Sequence, residues 1–220
     1  MRLRTYRWLL VFGTLLAGPV AGVGQNKWEA AIQAFEKSDR ETPPPASPIV
    51  FTGSSSFTLW TDLPAQFPDK PILNRGFGGC QLSDVLHFAD RVILAYRPRQ
   101  VVVYAGDNDL AVGKSPQEVY RLFRVLFRRL RQAQPGLPVV FVAIKPSPVR
   151  WKFRVEAAEA NRLVRRFLRR QRNADFVDVV PTLLDPLTQR PLPELFKPDS
   201  LHLNAAGYQR WAVLLKPVLR

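Results

Sequence analysis

Two short segments far apart in the chain carry the side chains from which a hydrolytic site could be assembled. Gly53-Ser54-Ser55-Ser56 follows an apolar stretch and leads into Phe57-Thr58-Leu59-Trp60. A serine at a strand-to-helix turn presents its hydroxyl at the end of a sheet, beside the electropositive start of the helix. That setting suits a nucleophile, although Gly/Ser clusters are more often turns and helix caps. Near the other end stands Asp199-Ser200-Leu201-His202-Leu203-Asn204. An imidazole acts as general base for a serine when an acceptor holds its second nitrogen, and Asp199, three residues before His202, can supply that acceptor. The same loop reads equally well as a turn closed by Asp199, with His202 on the surface and Asn204 capping a following helix. The chain has two histidines. The other, His87, falls in a predicted helix from Leu82 to Phe88, where flanking Leu86 and Phe88 imply an ordinary, partly buried position.

Two further segments could complete such a site. Asn74-Arg75-Gly76-Phe77-Gly78-Gly79 offers glycines whose backbone N–H groups can approach a ligand closely. Ala105-Gly106-Asp107-Asn108-Asp109 offers a side-chain amide. Both are parts from which an oxyanion hole is made, where N–H donors meet the charge that develops on a carbonyl oxygen. Competing motifs fail on spacing. The stretch from Asp107 to Glu118 has Val112 where the sharp turn of a calcium loop needs glycine. Gly76-Phe77-Gly78-Gly79 lacks the final glycine of a dinucleotide fingerprint, and no spaced His/Cys set suggests zinc. Cys80 is the single cysteine, so no intramolecular disulfide is possible.

Taken in order, Gly-x-Ser, a glycine-rich turn, Gly-x-Asn-Asp and Asp-x-x-His resemble the four blocks of the GDSL/SGNH hydrolase family, and they span Gly53 to His202. The resemblance implies Ser55 as nucleophile, His202 as base, Asp199 as its orienting partner, and Gly79 and Asn108 as oxyanion donors beside the Ser55 N–H. It implies ester hydrolysis through an acyl-enzyme, with no cofactor and no metal. The first block reads Gly-Ser-Ser where the family's name pattern has Gly-Asp-Ser, which points to a branch with a Gly-Ser-Ser-Ser start. The expected substrate is a small-molecule or carbohydrate ester, O-acetyl groups included. A lysophospholipid or thioester-like acyl substrate is the alternative. In the segment Lys145-Pro146-Ser147-Pro148-Val149-Arg150-Trp151, Trp151 is a candidate sugar-stacking platform and Arg150 a candidate anion clamp; a proline-braced loop with an apolar anchor fits equally well.

These segments need a scaffold, and the apolar pattern supplies one. Continuous apolar runs at Pro48 to Phe51, Pro71 to Leu73, Val101 to Tyr104, Val139 to Ile144 and Phe176 to Val180 predict strands covered on both faces. Between them lie helical patterns. Val119, Leu122, Phe123, Leu126, Phe127 and Leu130 form an apolar stripe opposite Arg121, Arg124, Arg128 and Arg131. Ala160, Leu163, Val164 and Phe167 repeat the arrangement against Arg162, Arg165, Arg166, Arg169 and Arg170. Alternating strand and helix predict right-handed crossovers and a three-layer α/β/α sandwich around a parallel sheet of about five strands, flavodoxin-like in layout. In such sheets sites collect at the carboxyl ends of the strands. A leading helix from about Trp28 to Phe35 and a Thr42-to-Ser47 proline connector precede the first strand.

The opening residues read as an address. Arg2, Arg4 and Arg7 precede an apolar run from Trp8 to Val20 and then small residues, the layout of a secretory signal. The expected division is residues 1–24 as signal peptide, 25–47 as leading helix and connector, and 48–220 as the hydrolase domain. Export to the periplasm or medium follows from it, with no stable membrane span once the signal is cleaved; an uncleaved anchor is the alternative. The formal charge is +14. A basic surface attracts anionic polymers, so a non-catalytic polyanion binder is the rival from another functional class. The arginine runs nevertheless fit solvated helix faces, and no nucleic-acid partner is expected of an exported protein.

Overall fold

A computed structural model describes residues 25–220. Residues 1–24, where a signal peptide is expected, lie outside the described residues. Five parallel strands, β1 (Ile49–Gly53), β2 (Ile72–Gly76), β3 (Gln100–Tyr104), β4 (Val139–Val142) and β5 (Ala174–Val177), form one sheet in the order β2-β1-β3-β4-β5. The chain steps from β1 to one side, then crosses back to β3 on the other, so the loops after β1 and β3 diverge from a topological switch point. The α-helices are α1 (Glu29–Glu41), α2 (Ser55–Thr58), α3 (Leu63–Gln66), α4 (Leu82–His87), α5 (Ala89–Val92), α6 (Asp107–Ala111), α7 (Pro116–Ala133), α8 (Arg154–Leu168) and α9 (Ala205–Leu215).

Strand side chains alternate between the two faces, and each face has its own core. Val50, Val101, Val103, Val139 and Phe141 point toward α1, α4, α5, α7 and α8, meeting Ile32, Val85, Phe123, Leu126 and Val164. Ile49, Phe51, Val102, Tyr104, Val140 and Val142 point the other way, into an aromatic layer of Phe57, Trp60, Tyr208 and Trp211 from α2 and α9. This is the three-layer α/β/α sandwich that the alternation of elements predicts. Among the described residues no helix is long and apolar enough to cross a membrane.

Three local differences from the sequence expectations are found, and the first two have physical causes in the packing. α1 runs to Glu41, beyond the expected end near Phe35, because its polar last turns gain distant partners: Asp39 pairs with Arg75 and accepts the Tyr96 hydroxyl at 2.6 Å, while Glu36 pairs with Arg91 at 2.6 Å. It ends where Pro43 disfavours a helical Thr42, which is extended. The last strand is Ala174–Val177 rather than Phe176 to Val180, since the Asp178 carboxylate turns back to accept the Val180 N–H at 3.2 Å and Pro181 opens a 3-10 turn. His87, expected to be partly buried, is exposed on the last turn of α4.

Candidate active site

β1 ends on a residue that only glycine can be. Gly53 has φ +129°, and a Cβ there would lie 1.9 Å from the Tyr104 carbonyl oxygen. With that clearance, Ser54 N–H closes a last rung on the Tyr104 carbonyl at 2.9 Å, and Ser55 becomes the first residue of α2. An amide at that position has no acceptor inside its own helix. Phe57, buried against Phe51, anchors α2 from below, and the Tyr208 hydroxyl donates to the Ser56 carbonyl at 2.9 Å. Ser55 therefore stands half-buried at the carboxyl edge of the sheet on a turn fixed from both sides.

His202 is carried by a loop tied down at each end. Lys197 N–H donates to the His202 carbonyl at 2.7 Å, and the buried Leu203 pairs with Phe196. Asp199 Oδ1 accepts the N–H groups of Leu201 and His202, each at 2.9 Å, and Oδ2 lies 2.6 Å from His202 Nδ1. These donors, the His202 N–H foremost, hold the Asp199 carboxyl well below its ordinary range. A carboxylate on Nδ1 places the ring proton there and leaves Nε2 as acceptor. Nε2 is 2.9 Å from Ser55 Oγ. The bond spans 147 residues of sequence. Asn204 does cap α9, its Oδ1 accepting the Gly207 N–H at 3.1 Å, so the cap and the His202–Asp199 contact coexist on this loop.

Both candidate donor segments arrive at the same edge. Phe77 N–H bonds the Gly53 carbonyl at 2.8 Å, bringing the glycine turn beside the serine turn; a Cβ on Gly78 would be 3.8 Å from that of Ser55. Gly79 has φ +79° with open space around it. Asn108 sits in the first turn of α6, after β3. Its Nδ2 donates to the Cys80 carbonyl at 2.9 Å and its Oδ1 accepts from Arg150 Nη2 at 2.8 Å. Cys80 itself is buried, and burial pushes its thiol well up, so it is no nucleophile at neutral pH.

Arg150 and Trp151 follow β4 on the same edge, on a loop joined to the histidine loop by the Val149 N–H to the Ser200 carbonyl at 3.2 Å. The Arg150 guanidinium faces inward, toward Asp107 at 3.1 Å and Asn108, rather than outward as a free clamp. The Trp151 ring has the Arg154 and Arg190 guanidinium groups 5.4 and 5.5 Å from its centre. It borders a cavity of about 370 Å³ shared with Ile144, Pro146, Val180 and Leu184.

Sequence reasoning did not single out Trp28, Asp107 or Lys145. Trp28 reaches the glycine turn from the leading segment, and Asp107 and Lys145 are buried beneath the site. A lysine directly after an apolar strand run, at the edge where sites collect, was the available signal for Lys145.

A parallel sheet with a Ser–His–Asp relay at its carboxyl edge and glycine and amide donors alongside defines a serine hydrolase of the three-layer type. The model of the GDSL-like Lipase/Acylhydrolase family matches residues 47–210, and the chain belongs to that family of ester-hydrolysing enzymes. Solved structures with the same fold include a Streptococcus pneumonia protein provisionally described as a platelet activating factor, 20% identical, covering 90% of this chain and 95% of that one with TM-score 0.77. A GDSL-like lipase from Bacteroides thetaiotaomicron is 17% identical, covering 86% and 96% with TM-score 0.72. An acetyl esterase variant solved with an acetate ion is 14% identical, covering 77% and 93% with TM-score 0.58. At these identities the likeness is one of fold. No match is found among curated proteins.

Proposed function

We propose that the protein is an exported serine esterase that removes small acyl groups, O-acetyl groups on carbohydrate among them, through an acyl-enzyme on Ser55. The observation that carries the reading is the unbroken relay from Ser55 Oγ through His202 to Asp199, at 2.9 and 2.6 Å. In the first half-reaction Ser55 Oγ attacks the ester carbonyl carbon as its proton passes to His202 Nε2. The Ser55 N–H, the Gly79 N–H and the free N–H of Asn108 meet the oxyanion. Collapse breaks the bond to the alcohol, which leaves with the proton from His202. Water, deprotonated by the same nitrogen, then releases the acid and restores Ser55. Asp199, ionised throughout, stabilises the imidazolium that forms twice per cycle.

Acetyl transfer to water is supported by the occurrence of an acetyl esterase on this fold and by the half-buried Trp151 ring, an aromatic platform of the kind that stacks on a sugar face. A second reading, hydrolysis of lysolipid or acyl thioester, draws on the apolar cavity beside Trp151. Export rests on the three arginines and apolar run at residues 1–24. A panel of acetylated sugars, lysolipids and acyl thioesters, run with native protein and Ser55→Ala, separates the substrate readings. Full activity of Ser55→Ala on every ester would end the acyl-enzyme proposal. Amino-terminal sequencing of protein from culture medium tests signal cleavage.

A further inference from the structure

Beneath the oxyanion side of the site lies a buried charged cluster that the hydrolytic steps leave without a task. Asp107 is its hub. Its Oδ1 takes a long contact of 3.5 Å from the Ser54 hydroxyl, and its Oδ2 accepts the Tyr104 hydroxyl at 3.2 Å. The same oxygen lies 3.1 Å from Arg150 Nη1 and 3.7 Å from Lys145 Nζ. Buried charges persist where they are paired, yet here one carboxylate meets two cations. Lys145 is enclosed, its side chain 1% exposed, whereas Arg150 extends one nitrogen further.

That nitrogen, Nη2, donates to Asn108 Oδ1 at 2.8 Å. On the opposite side of the amide, Nδ2 gives one hydrogen to the Cys80 carbonyl at 2.9 Å. A guanidinium cannot accept and a carbonyl cannot donate, so the two contacts fix which way the amide faces. The second hydrogen of Nδ2 has no protein acceptor among the described residues. A cation on the amide oxygen also draws charge from the amide and strengthens its N–H as a donor. A planar fork reaches both oxygens: Nη2 hydrogen-bonds Asn108, and Nη1 lies at ion-pair distance from Asp107 without a hydrogen bond of its own.

We propose that Arg150 is a positioning residue for the oxyanion site, braced by Asp107 and acting through Asn108, which it orients and polarises. The inference rests on the reading of Ser55 as nucleophile and Asn108 as oxyanion donor. It also gives Ser54 a place, since the residue before the nucleophile touches the same carboxylate that braces Arg150.

A double-mutant cycle on a neutral p-nitrophenyl ester tests it. Arg150→Met is expected to lower kcat about tenfold with KM little changed, part of the roughly 10²- to 10³-fold loss expected for the donor itself in Asn108→Ala. In the Asn108→Ala background, Arg150→Met is expected to cause no further loss. Arg150→Lys keeps a charge beside Asp107 without the second nitrogen, so the chain folds as the native one does while kcat stays low. Equal losses in both backgrounds, a loss confined to KM, an unaltered kcat in Asn108→Ala, or an unaltered kcat in Arg150→Lys would each overturn the proposal. Full activity of Ser55→Ala in the same panel would instead remove the nucleophile assignment on which the inference rests.

Discussion

Trp28 Nε1 donates to the carbonyl oxygen of Gly78 at 2.9 Å, so the segment that leads into α1 holds the turn from which the Gly79 N–H is presented. The indole is buried and meets Phe77 edge-on at 6.2 Å. A backbone turn rich in glycine has little of its own to keep it in one conformation, and this bond supplies an anchor from 50 residues away. Trp28→Phe keeps the apolar contact and removes the donor. It should lower stability by about 1 kcal/mol and kcat by up to about tenfold through displacement of the turn. Thermal melting and steady-state kinetics on a short-chain ester check both numbers; native kcat would show that the turn holds itself.

Gly53 and Gly79 both have positive φ, yet substitution should separate them. A Cβ on Gly53 would overlap the Tyr104 carbonyl oxygen at 1.9 Å, and nothing flexible is there to move. Gly53→Ala is therefore expected to abolish soluble expression. A Cβ on Gly79 would meet nothing within 4 Å, so Gly79→Ala carries only backbone strain of about 1–2 kcal/mol. It should fold, melt a few degrees lower, and lose turnover because its own N–H shifts. Equal yields for the two variants would contradict this account of β1.

How far these features were legible in the linear chain depends on where their causes lie. β1, β3 and β4 show as apolar runs because both faces of the sheet are covered; edge strand β2 does so only at Ile72 and Leu73 before Asn74 and Arg75, and β5 is half-buried at the other edge, where Ala174 and Asp175 break its pattern. Ser55, Asp199 and His202 are legible because their chemistry demands particular residue types. Arg150 was legible as a cation at the site, but its partner was not, since the contact with Asn108 joins the loops after β4 and β3 and spans 42 residues. The length of α1 was hidden for a similar reason, with Arg75 and Arg91 supplying its ion pairs from across the fold.

Asp199 gives a pH dependence with a definite sign. Its folded carboxyl lies below the ordinary value of 3.8, first through the His202 N–H and then through the imidazole. The unfolded chain therefore binds more protons in acid, and the contribution of this group is complete above the ordinary value and drains away as pH falls below it. Melting temperatures of native protein and Asp199→Asn should differ at neutral pH and converge below about pH 4. A gap that stays constant down to pH 2 would show that the carboxylate contributes no linkage.

Many arginines on α7 and α8 already have partners: Arg129 with Asp90, Arg162 with Glu159, Arg165 with Asp178. The basic surface should then attract polyanions without taking part in turnover. Retention on heparin resin is expected to fall steeply as salt rises, while kcat/KM on a neutral ester changes less than about twofold over the same range. Salt-sensitive turnover of a neutral ester would tie the surface charge to the site.

Trp151 stands where specificity for the alcohol portion should be read. It sits one residue after Arg150, on the loop bonded to the histidine loop, and two guanidinium groups flank its ring. An aromatic face so placed can stack on a sugar or border the apolar cavity with Ile144 and Leu184, and it is no part of the Ser55–His202–Asp199 relay. Trp151→Ala should therefore leave kcat on p-nitrophenyl acetate within about twofold while raising KM for a bulky acetylated carbohydrate about tenfold, the pattern of lost ground-state binding. If the acyl chain rather than the alcohol lies against Trp151, the same variant instead raises KM with acyl length and spares the acetylated sugar. Loss of kcat on both substrates alike would assign the indole to the support of Arg150 and Asn108.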